Sequence, residues 1–251
     1  MMITAIALRE FKSLFLSPLA WSILAILQFI LAYLFLSQVE TFIILQPQLE
    51  GLDNAPGLTD VIAAPLYGNA AIIFMLVTPM LTMRLICEER RNKTLALLLS
   101  APVSSTEIVI GKYLGILGLM LTVLLLITLM PLSLLAGGTL DFGKLFANIL
   151  ALLLLLAAFS SVGLFMSCLA GHPTVAAMGA FGLLMLLWIV DWSSGLRDDE
   201  SELFEYLSLL RHFQNLQSGS INTVDLIYFA LFIATFLILS VRNLDNDRLQ
   251  K

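Results

Sequence analysis

Arg84-Leu-Ile-Cys-Glu-Glu-Arg-Arg-Asn-Lys-Thr-Leu-Ala-Leu-Leu-Leu-Ser-Ala-Pro-Val-Ser-Ser-Thr-Glu-Ile-Val-Ile-Gly-Lys112 separates two strongly apolar runs and is too long for a turn. Glu88 to Lys93 is charged at every position but Asn92, and Thr94 to Leu99 is apolar enough to bury a face. Pro102 ends that element, because proline removes a backbone donor and biases the residue before it away from the helical region. Ser104 and Glu107 have capping-box spacing, so a new helix starts there with its first amides satisfied. The stretch predicts a helix, a short helix with a charged start, a sharp turn and another helix. A short helix that is charged on one side and apolar on the other fits the groove of a partner protein. It equally fits an interfacial helix folded back on lipid. Residue physics alone leaves both open.

On either side of this stretch the solvent must be lipid. Hydrophobic residues make up 59% of the 251 positions and charged residues 12%, with a mean hydropathy of +0.97; soluble domains are roughly half apolar and about a quarter charged. Crossing about 30 Å of hydrocarbon takes roughly 17 to 25 apolar residues in a helix. Six stretches qualify, over 19–36, 70–86, 108–136, 145–169, 174–190 and 226–241. None has an ionisable residue in its centre; Arg84, Lys112, Asp191 and Asp225 sit at the edges. The class expected is an all-α membrane protein, with residues 1–251 as one transmembrane domain.

Placing the N-terminus in the cytoplasm puts Arg9, Lys12, Arg84, Arg90, Arg91, Lys93, Lys112, Arg242, Arg248 and Lys251 inside, against Lys144, Arg197 and Arg211 outside. Ten against three sets the orientation, since Lys and Arg are retained on the cytoplasmic side. The first span is longer than a signal-peptide core and no small-residue cleavage site follows Leu36, so it is expected to stay. Residues 1–18 alternate apolar residues with Arg9, Glu10 and Lys12, which reads as an amphipathic helix on the inner surface, or as an ordinary basic flank. Residues 37–69 carry Gln46-Pro47, Asn54 and Pro56-Gly57 and read as an external loop, with room for a short surface helix. Residues 195–216 place Asp198, Asp199 and Glu200 ahead of Leu203, Phe204, Leu207 and Leu210, with Arg211 and His212 after them. That is an amphipathic helix on the outer face.

Several chemistries are excluded. A phosphate-binding P-loop needs an upstream glycine and a hydroxyl after Gly-Lys, and Gly111-Lys112-Tyr113 and Gly143-Lys144-Leu145 have neither. His172 and His212 stand alone and on opposite sides, so no paired-histidine metal site is expected. Cys87 and Cys168 lack CxxC spacing and read as small apolar packers. Ion-coupled transporters place charge at the midplane, and here there is none. Pro79 and Pro131 are admissible kinks within spans. Gly115, Gly118 and Gly163, with Ser160, Ser161 and Ser167, form small faces for close helix packing. No substrate-binding cluster stands out.

The Arg84–Lys112 stretch resembles the membrane subunits of type-2 ABC exporters, at Glu88-Glu89, Thr94-Leu95, Leu97-Leu98, Pro102, Glu107-Ile108 and Gly111-Lys112. It departs from them at Lys93, where the family has glycine, and at Ala96, where it has an acid. Thr78-Pro79-Met80-Leu81-Thr82-Met83-Arg84, Tyr206-Leu207-Ser208 and Arg211-His212-Phe213 extend the likeness to the gliding-motility GldF and NosY branch. The resemblance implies six transmembrane helices with both termini cytoplasmic, and a permease subunit that dimerises with itself or a related chain. It implies two copies of a separate ABC ATPase carrying ATP and magnesium, so the chain would be no enzyme by itself and bind no cofactor or metal. Residues 87–102 would be the coupling helix, with Glu88, Glu89, Arg90, Arg91, Lys93, Thr94, Leu97, Leu98 and Pro102 at the ATPase contact and Ser104 and Glu107 as the helix cap. The expected setting is the bacterial inner membrane, with lipid and an extracytoplasmic protein as further partners and no nucleic acid. Two rivals are a force- or signal-transmitting complex that moves no solute and an ion-coupled secondary transporter.

Overall fold

The computed structural model describes residues 2–49, 57–94, 103–136, 139–194 and 208–249. Their regular structure is entirely helical, as long apolar runs require when no water is at hand for unpaired backbone groups. The elements are α1 (Met2–Leu16), α2 (Pro18–Leu49), a π-helical turn (Thr59–Ala63) leading into α3 (Ala64–Thr82), α4 (Cys87–Arg91), and α5 (Ser105–Ser133), extended by a 3-10 turn (Leu134–Ala136). After them come α6 (Phe142–Leu169), α7 (Pro173–Ser194), α8 (Leu209–Gln217) and α9 (Thr223–Leu249). Among the described residues, five helical stretches are long and apolar enough to cross a membrane: Pro18–Pro47, Thr59–Arg91, Ser105–Ala136, Phe142–Leu169 and Thr223–Arg248. Pro173–Ile189 is a shorter apolar helix.

The helix starts are written in side chains. Ser104 Oγ accepts from the Glu107 amide at 3.2 Å, while Glu107 Oε2 accepts from the Ser104 amide at 3.0 Å. Asp141 Oδ1 accepts from the Gly143 and Lys144 amides at 2.9 and 3.2 Å, and Ser208 Oγ from the Arg211 amide at 3.1 Å. Each side chain satisfies donors that a helix start leaves open. The loop read over 37–69 begins later than its prolines suggested, because α2 continues through Pro47 to Leu49. Proline in a last turn gives up a single hydrogen bond, and Val39 and Phe42 pack on the core along the extra turns.

Helix α6 is the hub, with α3, α5, α7, α8 and α9 around it. Its buried side includes Ala147, Ala151, Ala158 and Gly163. A Cβ at Gly163 would lie 2.0 Å from Thr82 Oγ1, so α3 and α6 touch almost backbone to backbone. Small residues do this work in lipid, where burying apolar surface gives no net drive. The outward faces stay apolar, with Phe29, Tyr33 and Leu36 on α2 and Leu231 and Ile238 on α9.

Helix α1 stands beside α5 rather than away from the bundle. Cβ atoms built at Gly111, Gly115 and Gly118 would come within 2.7 Å of Ile6, 2.7 Å of Glu10 and 2.8 Å of Phe11. The order of those contacts means that the two helices run side by side in the same direction. An amphipathic helix expected on the membrane surface is thus seated lengthwise in a glycine groove.

Candidate functional site

Four helices converge on α4. The chain leaves α3 after Thr82 through a series of turns before α4 starts at Cys87, which frees backbone groups. Ser167 of α6, fully buried, takes them up: its Oγ accepts from the Ile86 and Cys87 amides at 3.0 and 3.1 Å and donates to the Met83 carbonyl at 3.1 Å. One hydroxyl therefore holds the break between a spanning helix and the charged helix that follows. Cys87 is buried too, with its Sγ 3.3 Å from the Ala170 carbonyl.

Within α4 the charged residues divide by direction. Glu89 Oε1 lies 3.0 Å from Lys112 Nζ of α5, and the same ammonium lies 3.0 Å from Glu10 Oε2 of α1. The Lys112 side chain is 4% exposed, against 19% for Glu10 and 24% for Glu89. An ammonium this buried needs a counter-charge, and here it has two. Arg90 turns the other way and pairs with Asp247 of α9. Glu88 and Arg91 face outward, 3.9 Å apart and weakly paired.

The end of α4 is closed by a Schellman motif. The Thr94 amide donates to the Glu89 carbonyl at 3.0 Å, and the Lys93 amide to the Arg90 carbonyl at 3.2 Å. Lys93 sits at φ 58, the left-handed position for which glycine is the usual choice. Lys93 and Thr94 are exposed. Leu97, Leu98 and Pro102 lie outside the described residues.

Of the residues read as an ATPase contact, Glu88, Arg91, Lys93 and Thr94 have open side chains, while Glu89 and Arg90 are engaged within the chain. Reading the sequence did not find the roles of Glu10, Lys112, Asp247 and Ser167. Glu10 did carry a signal, as an acid on an otherwise apolar face of α1 within reach of a basic helix end.

The other end of the bundle has its own polar ties. Lys144 pairs with Asp60 at 2.9 Å. His212 of α8 meets Asp225 of α9 at 2.5 Å, both buried, and stacks on Tyr228 with ring centroids 4.0 Å apart. Leu209, His212, Phe213 and Leu216 form the buried side of α8, at the spacing of one helix face. A cleft of about 590 Å³ opens there, lined by Asp60, Asn69, Trp188, Phe213 and Gln214 among others. His172 lies at the α4 end, just before α7, so the two histidines are far apart. Among the described residues no group of three or more His, Cys, Asp or Glu side chains is placed to hold a metal ion.

Residues 4–242 match the family model described as ABC-2 family transporter protein. No curated protein matches the chain.

Proposed function

The chain belongs to the ABC-2 family of transporter proteins, and from that premise we propose that it forms an exporter with α4 as the helix through which the ATPase drives it. As a multi-pass permease subunit it works with an ABC ATPase. In this reading α7 is the sixth span, both termini are cytoplasmic, and two permease subunits, identical or related, enclose the path. Two ATPase subunits carry the ATP and magnesium, and this chain performs no catalysis. Its setting is the bacterial inner membrane, within the gliding-motility branch that the sequence resembles.

The observation that carries the proposal is the double character of α4. Its inward side chains and backbone reach α5, α6 and α9 directly and α1 through Lys112, while Glu88, Arg91, Lys93 and Thr94 stay open to a partner. The basic residues support the orientation: Arg9, Lys12, Arg84, Arg90, Arg91, Lys93, Lys112, Arg242 and Arg248 gather at the α4 end. When two ATPase subunits close on ATP, a groove gripping α4 shifts it as a unit. The glycine-seated α1 and the Lys112 node make α5 and α1 move together, and Ser167 ties the shift to α6. Packed cores respond to such a push by switching between arrangements rather than by deforming smoothly.

The test is purification of the tagged protein from its native membrane in mild detergent, with identification of co-purifying proteins and an ATPase assay. A stoichiometric P-loop protein is expected. Changing Leu97 and Leu98 to Asp is expected to uncouple hydrolysis from transport while leaving the fold intact. Unchanged coupling in that double variant removes the docking role. Transport that depends on a proton or sodium gradient and needs no ATPase sinks the whole reading.

A further inference from the structure

The apolar part of α9 ends at Val241, and residues 223–241 already span roughly 28 Å of helix, enough for the hydrocarbon core. Yet the helix continues through Arg242, Asp245, Asp247 and Arg248 to Leu249. A polar extension past the membrane draws no support from lipid, so something else must hold it. Leu244 is fully buried in the core, which fixes the direction of the extension. From its last turn, Asp247 pairs with Arg90 of α4, and Arg248 Nη1 donates to the Val103 carbonyl at 3.3 Å. Val103 directly precedes the Ser104 cap of α5. Two consecutive residues of α9 thus grip the cytoplasmic segment once before and once after its middle.

We infer that the last turn of α9 is a positioning clamp for this segment, with Asp247 and Arg248 as the positioning residues. This deepens the proposed function and rests on it. Two grips, one ionic and one to a backbone carbonyl, prevent the segment from pivoting about either contact. They also take the Arg90 guanidinium out of contention for the partner, leaving Lys93, and Arg91 with its loose pair to Glu88, as the open cations of the described segment. The Arg90 and Asp247 side chains are 27% and 28% exposed, so the pair is reachable by solvent yet too enclosed to be ornamental. A push on α4 then reaches α9 by a route separate from the Lys112 node.

The experiment uses the full-length chain, with its co-purifying ATPase, in lipid nanodiscs. Amide hydrogen exchange over 87–103 and ATP hydrolysis are compared for wild type, Asp247→Arg, the milder Asp247→Asn, and the swap Arg90→Asp with Asp247→Arg. Asp247→Arg is expected to speed exchange in the segment and to lower the hydrolysis rate about fivefold or more, the low end of typical coupling between sites. Asp247→Asn moves both in the same direction by less, and the swap restores both. Wild-type exchange in both Asp247 variants overturns the clamp. Faster exchange with unchanged hydrolysis overturns the positioning role and leaves a purely structural contact. Absence of any ATPase from the wild-type preparation sinks the parent reading instead, and the exchange arm, which needs no partner, tells that apart from failure of the clamp.

Discussion

Replacing Lys112 by Met removes the charge at the centre of the node while keeping the length of the side chain. At an effective dielectric of about 20, each contact at 3.0 Å is worth roughly 5 kcal/mol before desolvation. Breaking a buried pair by deleting one partner typically costs about 3–5 kcal/mol. Because Glu10 and Glu89 retain 19% and 24% exposure, hydration recovers part of the loss, and about 3 kcal/mol is expected for Lys112→Met. Glu10→Gln is a different perturbation. It leaves Lys112 with Glu89, a neutral pair, and turns a node of net charge −1 into one of zero, so about 1 kcal/mol or less is expected. The asymmetry is the prediction: Lys112→Met leaves two carboxylates facing each other, and Glu10→Gln removes that repulsion. Unfolding of the purified protein in detergent, followed by tryptophan fluorescence against denaturant, measures both. Combining Lys112→Met with Glu10→Gln and Glu89→Gln is expected to recover most of the loss. If Glu10→Gln costs as much as Lys112→Met, or the triple variant is no better than Lys112→Met alone, the account of the node as one lysine shared by two acids is wrong.

Lys93→Gly removes the strain of a left-handed residue at φ 58, which costs a side-chain-bearing residue about 1–2 kcal/mol. A gain of roughly 0.5–1 kcal/mol is expected after the added freedom of the unfolded chain is counted; destabilisation in a thermal melt would show that the Schellman geometry is not maintained. Ser167→Ala deprives the Ile86 and Cys87 amides of their acceptor in a fully buried site. A loss of about 2 kcal/mol or more is expected, and a melting temperature within error of wild type would mean that the α3–α4 junction re-forms ordinary helical bonds.

How far the sequence could be read depended on which physics decides each feature. Five of the six expected spans were legible because run length in lipid is a sufficient criterion, while the run over 174–190 falls in a shorter apolar helix, Pro173–Ile189. Their ends were not, because helices continue into polar residues wherever tertiary contacts hold them, as at Pro47 and over Arg242–Leu249. Charge marked Glu88 to Lys93 as a unit, but not which residue turns inward. Arg90 faces α9 because of Asp247, 157 positions away, and Lys112 joins α1 because glycines at 111, 115 and 118 let that helix approach. The resemblance supplied one detail with a physical echo: the family's glycine falls at Lys93, where the backbone takes the conformation that glycine favours.

The seating of α1 on α5 also sets a schedule for synthesis. Glu10 and Lys112 are 102 residues apart, so at about 5–20 residues per second α1 waits roughly 5–20 s after it is made before its groove exists. During that interval α2 and α3 enter the membrane while Glu10 lacks its lysine and Ile6 and Phe11 have no glycine face to meet. The first helix of the chain thereby reaches its final place only after α2, α3 and α4 have been made. Any fragment cut before α5 retains α1 without the glycine groove and the lysine that hold it in the full chain.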